Sequence, residues 1–231
     1  MNKPAGLLAV PGRGADKQDC LSVRIQTEFA DALIVHRLDM STSGLMVFAR
    51  GVQMQRLLSQ MFREREMTKR YVAIVSGRVE SVEISDSPSG GSIHFPFVLS
   101  AARSAVYRSS ERETLTADGS VGWSEVNLPI ATDWPNRPLR KIDAATGKPS
   151  LTRFHVLSHD AANVTSRVEL KPVTGRTHQL RVHMAAIRHP ILGDALYGGA
   201  TADRLMLHAN LLSFIHPASG TLLNFHSEPP F

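Results

Sequence analysis

The sequence predicts an α+β protein, a mixed and mostly antiparallel β-sheet with flanking helices. Three observations carry this. Strand-like segments outnumber helical ones, the stretch Asn163 to Lys171 alternates with period two, and the tail reads as two strands around a turn. A doubly wound sheet would need a helix between successive strands, and the chain has too few.

The elements follow in order. The apolar run Leu45, Met46, Val47, Phe48, Ala49 reads as a buried strand. Residues 52–66 form a helix, with Met54, Leu57, Leu58, Met61 and Phe62 on one face. A strand from Arg70 to Ser76 stops at Gly77. Val164, Val168 and Leu170 then alternate with Thr165, Arg167, Glu169 and Lys171, which marks a half-buried strand. Thr174-Gly175 turns the chain into a helix from Thr177 to Ile187, with Leu180, Met184 and Ile187 inward. The tail pairs two strands around Pro217-Ala218-Ser219-Gly220. Residues 82–122 differ: Ser87 to Ser92 reads SPSGGS, an RSSERE run follows, and Asp118-Gly119-Ser120 comes later. They read as an insertion, partly a flexible loop, in which Ile93 to Leu99 has the make-up of a strand. The expectation is a single domain spanning residues 1–231.

Composition narrows the function. The chain is 42% hydrophobic, enough for a substantial core, yet nothing approaches the roughly 18–20 apolar residues of a membrane span. Pro4, Gly6 and Pro11 interrupt any signal-peptide core. The single cysteine, Cys20, rules out an internal disulfide, fits a reducing compartment and reads as a buried hydrophobe. A cytoplasmic protein is expected, with no membrane partner. Net charge is +5, and 20 of the 26 basic residues are Arg. Arginine's planar fork suits phosphates and base edges. Six basic residues bunch between Arg56 and Arg78, and four between Lys171 and Arg188. That is the electrostatic footprint of a nucleic-acid binder.

Chemistry concentrates in His36 to Gly44, HRLDMSTSG. Asp39 stands at the mouth of a tight Ser-Thr-Ser-Gly turn beside the core, a good place for a nucleophile or general base. Here the sequence resembles the RluA-type pseudouridine synthases, whose catalytic motif reads HRLD-x-x-TSG. The resemblance implies the pseudouridine synthase fold and makes Asp39 the essential catalytic residue. Tyr71, in a Lys-x-Tyr context with Lys69, would lie against the uracil ring as a candidate base at C5. The block KPVTGRTHQLRVHMAAIRHPILGDALYG, Lys171 to Gly198, resembles a later family motif. By that resemblance Arg176 would pair with the catalytic aspartate, and the physics agrees: a guanidinium holds a partly desolvated carboxylate ionised. A third block, Asp133 to Phe154, resembles the subgroup that modifies both tRNA and ribosomal RNA. Arg37, Trp134, Arg137 and Arg181 are the expected RNA contacts, and Arg37 would fill the space left by the flipped nucleotide.

Other signals fail. Gly147-Lys148 is no P-loop, because Pro149 follows and Ile142 replaces the first glycine. His178 and His183 miss the i, i+4 spacing of a helical metal site and read as helix-face histidines, so no metal is expected. Pro11 to Gly14 lacks a preceding strand and is no dinucleotide loop.

The resemblance covers roughly residues 2–80 and 123–226, most of the chain. It implies a uridine-to-pseudouridine isomerase acting on structured RNA, a tRNA or 23S rRNA stem-loop, as a monomer without cofactor and without an S4-like RNA-binding domain. Two departures stand out: the family's strand ahead of Asn2-Lys3-Pro4-Ala5-Gly6, and the longer 82–122 insertion. A non-catalytic RNA-folding protein on the same scaffold is the alternative from another class. A glycoside hydrolase is the rival enzyme, but Asp39 has no acidic partner nearby in sequence.

Overall fold

The computed structural model describes residues 1–79 and 122–231. Strand β1 (Asn2–Lys3) leads to helix α1 (Leu21–Glu28) and then to β2 (Ala32–Ile34), β3 (Ser43–Leu45) and β4 (Phe48–Arg50). Helix α2 (Gly51–Glu64) and the long strand β5 (Thr68–Ser76) follow. The next described strands are β6 (Ser124–Asn127), β7 (Ile130–Thr132), β8 (Arg140–Ile142), β9 (Leu151–Asp160) and β10 (Thr165–Pro172). Helix α3 (Gln179–Ala186), β11 (Leu207–Ile215) and β12 (Leu222–His226) complete the chain. Nearly all of the insertion expected at 82–122, with its candidate strand from Ile93 to Leu99, lies outside the described residues.

Eight strands make the main sheet, in the order β1-β3-β11-β5-β10-β9-β6, with β12 beside β11. The β3–β11 pairing is parallel and the other pairings in this sheet are antiparallel. The mixed, mostly antiparallel α+β fold expected from the sequence is the one observed. Two small ribbons flank it, β2 with β4 and β7 with β8. Among the described residues no helix is long and apolar enough to cross a membrane.

The core divides where the apolar patterning says it should. Val72, Ala73 and Val75 of β5, Val168 and Leu170 of β10, and Leu180 and Met184 of α3 share one cluster. Leu58 and Met61 of α2 join Leu212 and Phe214 of β11 in another. Met54 and Phe62 pack at its edge, but Leu57 is exposed. It falls at the margin of the apolar stripe, on the side turned from the sheet.

Two expectations need correction. The run Leu45 to Ala49 is not one strand: β3 pairs with β1 and β11, whereas β4 pairs with β2. The chain changes sheets at Met46 and Val47, whose backbone N–H groups donate to the Met1 carbonyl and to His36 Nε2. Helix α3 also starts later than Thr177, because His178 adopts a left-handed conformation, φ 57° and ψ 16°. Gly44 explains the end of the first motif. Its φ is +114°, and a Cβ there would lie 2.3 Å from the Ala209 carbonyl oxygen. Only glycine lets this loop press against β11.

Candidate active site

Asp39 projects from the turn between β2 and β3, where the Thr42 N–H donates to its carbonyl at 3.1 Å. The turn is pinned from beneath. Lys3, wholly buried, donates its ammonium to the carbonyls of Pro4, Leu7 and Met40 at 2.8–2.9 Å. The Gly6 N–H meets the same Met40 carbonyl at 2.9 Å. Desolvation pushes the Lys3 ammonium down to about 8, against the pull of Asp39. His36 closes the other flank, stacked on Phe62 with ring centroids 4.4 Å apart. Burial pushes its imidazole down to about 3, which fits its role as acceptor for Val47.

Above the turn lies a cleft of about 1250 Å³. Arg37, Arg63, Arg65 and Lys69, from the stretch running from β2 to β5, line it together with Arg153, Lys171 and Arg176, from the stretch running from β9 to α3. Tyr71 lies in the cleft on β5, between Leu170 of β10 and Ala209 of β11. Burial first, and then the charge of Asp39, push its phenol well above the usual range. Tyr71 is therefore a neutral phenol at the outset of any reaction.

The cation facing Asp39 is Arg181, not Arg176. Arg181 Nη1 lies 3.7 Å from Asp39 Oδ2. The rest of its guanidinium forms a bidentate pair with Asp194, Nε to Oδ2 at 2.7 Å and Nη2 to Oδ1 at 2.6 Å. Both partners are buried. Desolvation lowers the Arg181 pKa, but hydrogen bonding and the charges of Asp194 and Asp39 outweigh it, and the net shift is upward. Arg176 is exposed at the cleft rim, with its Nε 3.5 Å from the Pro149 carbonyl. The expected Asp39–Arg176 pair is thus corrected; Arg181, expected to bind the substrate, lines the same cleft.

The reason lies in the turn between β10 and α3. Gln179, 3% exposed, accepts from Thr174 Oγ1 and the Arg176 N–H, and donates to the Leu151 carbonyl and Thr152 Oγ1. This anchors the turn on β9 with the Arg176 side chain outside and Arg181 inside. His178 is not a helix-face histidine. Its Nε2 lies 3.9 Å from Asp39 Oδ2, and its Nδ1 is 2.7 Å from the Tyr197 hydroxyl. His183 is buried and structural, placed between Thr152 Oγ1 and the Leu128 carbonyl. Trp134 and Arg137 sit together at the exposed tip of the β7–β8 ribbon, the guanidinium 5.0 Å from the ring centroid. They do not line the cleft.

Sequence reasoning missed Lys3, His178, Asp194 and Tyr197. One signal pointed toward Arg181: it falls between Leu180 and Met184, the residues expected to face inward, at the margin of the apolar face of α3.

This arrangement sets a carboxylate in a basic, RNA-sized cleft beside an aromatic ring, and the comparisons with known proteins agree with it. The RNA pseudouridylate synthase family pattern matches residues 1–186. The chain belongs to the RNA pseudouridylate synthase family. The dual-specificity RNA pseudouridine synthase RluA of Escherichia coli (strain K12) is 42% identical over 235 aligned residues, covering 100% of this chain and 89% of the relative. The RluA protein of Yersinia pestis is 40% identical, covering 100% of this chain and 94% of its own. Among solved structures, human RNA pseudouridylate synthase domain containing 1 matches with a TM-score of 0.67 at 26% identity, over 100% of this chain and 79% of that one. Human RNA pseudouridylate synthase domain containing 4, at 22% identity and TM-score 0.64, shares the fold. This RNA pseudouridine synthase is an isomerase that converts uridine to pseudouridine in RNA.

Proposed function

We propose that this enzyme isomerises uridines in stem-loops of both tRNA and 23S rRNA, with Asp39 as the catalytic carboxylate. The observation that carries the reading is Asp39 in the basic cleft with Arg181 3.7 Å from its Oδ2 and Tyr71 in the same cleft. Dual specificity rests on the block from Asp133 to Phe154, which resembles the tRNA and ribosomal RNA subgroup, and on the printed names of the bacterial relatives.

The reaction breaks the N1–C1′ bond, forms a C5–C1′ bond, and moves one proton from C5 to N1. Every atom is retained and there is no net redox change, so the chemistry calls for no cofactor. The target base must first leave its stack, which costs a few kcal/mol and is cheapest in a loop. Exposed Arg37 fills the vacated space, and the basic residues of the cleft hold the phosphates. Asp39 attacks or deprotonates the sugar, and Arg181 supplies the opposing charge. Tyr71 lies against the detached ring; as a neutral phenol, it takes the C5 proton only as it passes its own hydrogen on, and N1, which gains a proton in the product, is where that hydrogen ends. Trp134 and Arg137 meet RNA beyond the cleft. The chain acts as a monomer, one catalytic domain, in the cytoplasm.

The test is to map pseudouridines in tRNA and ribosomal RNA from a strain lacking the gene. Sites should vanish from both RNAs and return with the wild-type gene, but not with Asp39→Asn. Loss from one RNA alone would remove dual specificity. Restoration by Asp39→Asn would remove Asp39 from the chemistry.

A further inference from the structure

Resting on the reading of Asp39 as the catalytic carboxylate, we infer that His178 is a positioning residue for it. In the tautomer that Tyr197 imposes, His178 turns an Nε2–H toward Asp39 Oδ2 and leaves the other carboxylate oxygen free for the sugar.

His178 immediately precedes α3 in a left-handed conformation that non-glycine residues seldom adopt, and its side chain makes no capping hydrogen bond to the helix. The conformation instead places the ring between Asp39 and Tyr197. Such strain persists only where the surroundings impose it, and it gathers at functional sites.

The hydrogen-bond chain has a direction. The Arg140 backbone N–H donates to the Tyr197 oxygen at 2.9 Å, and that oxygen lies 2.7 Å from His178 Nδ1; with one lone pair of the phenol engaged by Arg140, its hydroxyl hydrogen is the one available to turn to Nδ1. With Nδ1 accepting, the remaining hydrogen of the neutral ring sits on Nε2, which faces Asp39 Oδ2 at 3.9 Å. The opposite tautomer would turn the Nε2 lone pair on the carboxylate. The ring edge of Tyr197 is itself packed against His178, and the Arg181 guanidinium lies over the Tyr197 ring at 5.2 Å. Arg140 belongs to β8, so the docking of the β7–β8 ribbon fixes this tautomer.

The charged and titratable groups facing His178 come from every side: Asp39 from its turn, Arg181 from α3, Arg140 from β8, and Asp194 and Tyr197 from the segment after α3. Desolvation is the largest influence and lowers the imidazole below its usual range, so the ring stays neutral near pH 7. Two anions, Asp39 and Asp194, raise it and two cations, Arg181 and Arg140, lower it.

Arg181 and His178 both approach the same oxygen, Oδ2. Their nitrogens lie 3.7 and 3.9 Å from it. The His178 distance exceeds a hydrogen bond by less than an ångström, and such contacts commonly tighten once substrate packs the site.

Replacement separates the possibilities. Asparagine tolerates the left-handed conformation and keeps an amide near Tyr197, but it is too short to reach Asp39. Glutamine places an amide N–H close to the position of Nε2. With a stem-loop RNA that the wild type converts, His178→Asn should lower kcat by at least about tenfold and leave KM within about twofold. His178→Gln should recover much of the loss. In the wild type, 15N NMR of histidine, assigned by the His178→Asn spectrum, should show a protonated Nε2 and a bare Nδ1. Tyr197→Phe should mix the tautomers. A His178→Asn variant with kcat within twofold of wild type overturns the inference, as does a protonated Nδ1 in the wild type. A raised KM with unchanged kcat would make His178 an RNA contact and overturn it too. Should Asp39→Asn also turn over normally, the reading beneath has failed; should it be dead while His178→Asn is active, this inference alone has.

Discussion

Arg176 and Arg181 stand five residues apart in one motif, and the structure predicts opposite fates for their alanine variants. Arg181→Ala leaves the Asp194 carboxylate, whose side chain is fully buried, without its two guanidinium bonds at 2.6 and 2.7 Å. Among the described residues, only the Leu196 N–H, at 3.1 Å, still donates to it. Removing one partner of a buried pair costs about 3–5 kcal/mol. At about 2–4 °C per kcal/mol for a chain of this size, Tm should fall by roughly 6–20 °C. Total stability near 5–15 kcal/mol leaves the variant largely folded at 25 °C, where turnover should fall at least about a hundredfold. Arg176→Ala removes an exposed side chain with one marginal contact, so stability should stay within about 0.5 kcal/mol. Its effect should be a few-fold loss of RNA affinity and a salt slope shallower by about one unit. Replacing both Arg181 and Asp194 with leucine should regain stability, since an apolar pair can substitute for a buried ionic one, but not activity. Thermal melts, salt titrations and turnover on a stem-loop RNA decide the matter. Equal melts for the two single variants, or a dead Arg176→Ala beside an active Arg181→Ala, would refute the pairing described here.

Asp39→Asn should abolish turnover and leave RNA binding within a few-fold, because phosphate contacts supply most of the affinity; residual activity above about a tenth of wild type, measured on the same RNA, would remove Asp39 from its role. Tyr71→Phe keeps the ring against uracil and removes only the hydroxyl, so binding should persist while product formation fails, and full turnover would reduce Tyr71 to packing. Deleting residues 86–118 should leave a folded, active enzyme. Val79, whose N–H meets Ser166 of β10, and the start of β6 at Ser124 are separated by two strand spacings, about 10 Å laterally, and the eleven remaining residues reach about 36 Å. An unchanged salt slope and rate would make the insert a surface addition, whereas loss of activity on one RNA alone would make it a specificity element.

Local patterning carried the framework. The stripe from Met54 to Phe62 became α2, the alternation near Val168 became β10, and the Pro-Ala-Ser-Gly turn joined β11 to β12. Each of these signals needs only neighbours along the chain. The division of Leu45 to Ala49 between two sheets needs more. It depends on Met1 and His36 meeting Met46 and Val47, and neither partner changes the periodicity of the run itself.

The site shows the same boundary at higher stakes. That Asp39 stands at a turn beside the core follows from residues within five positions of it. Which arginine faces it does not, because the motif offers two with the same charge and chemistry. The choice is made by Gln179, an uncharged residue whose four hydrogen bonds anchor the turn on β9 and so set which side chain is buried. Once Arg181 is inside, it must have a countercharge, and Asp194 supplies it from thirteen residues onward. A buried Asp194 needs Arg181, Arg181 presents its remaining nitrogen to Asp39, and the left-handed His178 brings a second donor to the same oxygen. The Asp39 carboxylate is thus positioned by residues whose own reasons for being where they are lie in stability. That is why a reading confined to chemical motifs put Asp39 at its turn but paired it with Arg176, which is exposed at the cleft rim, and not with Arg181 of α3.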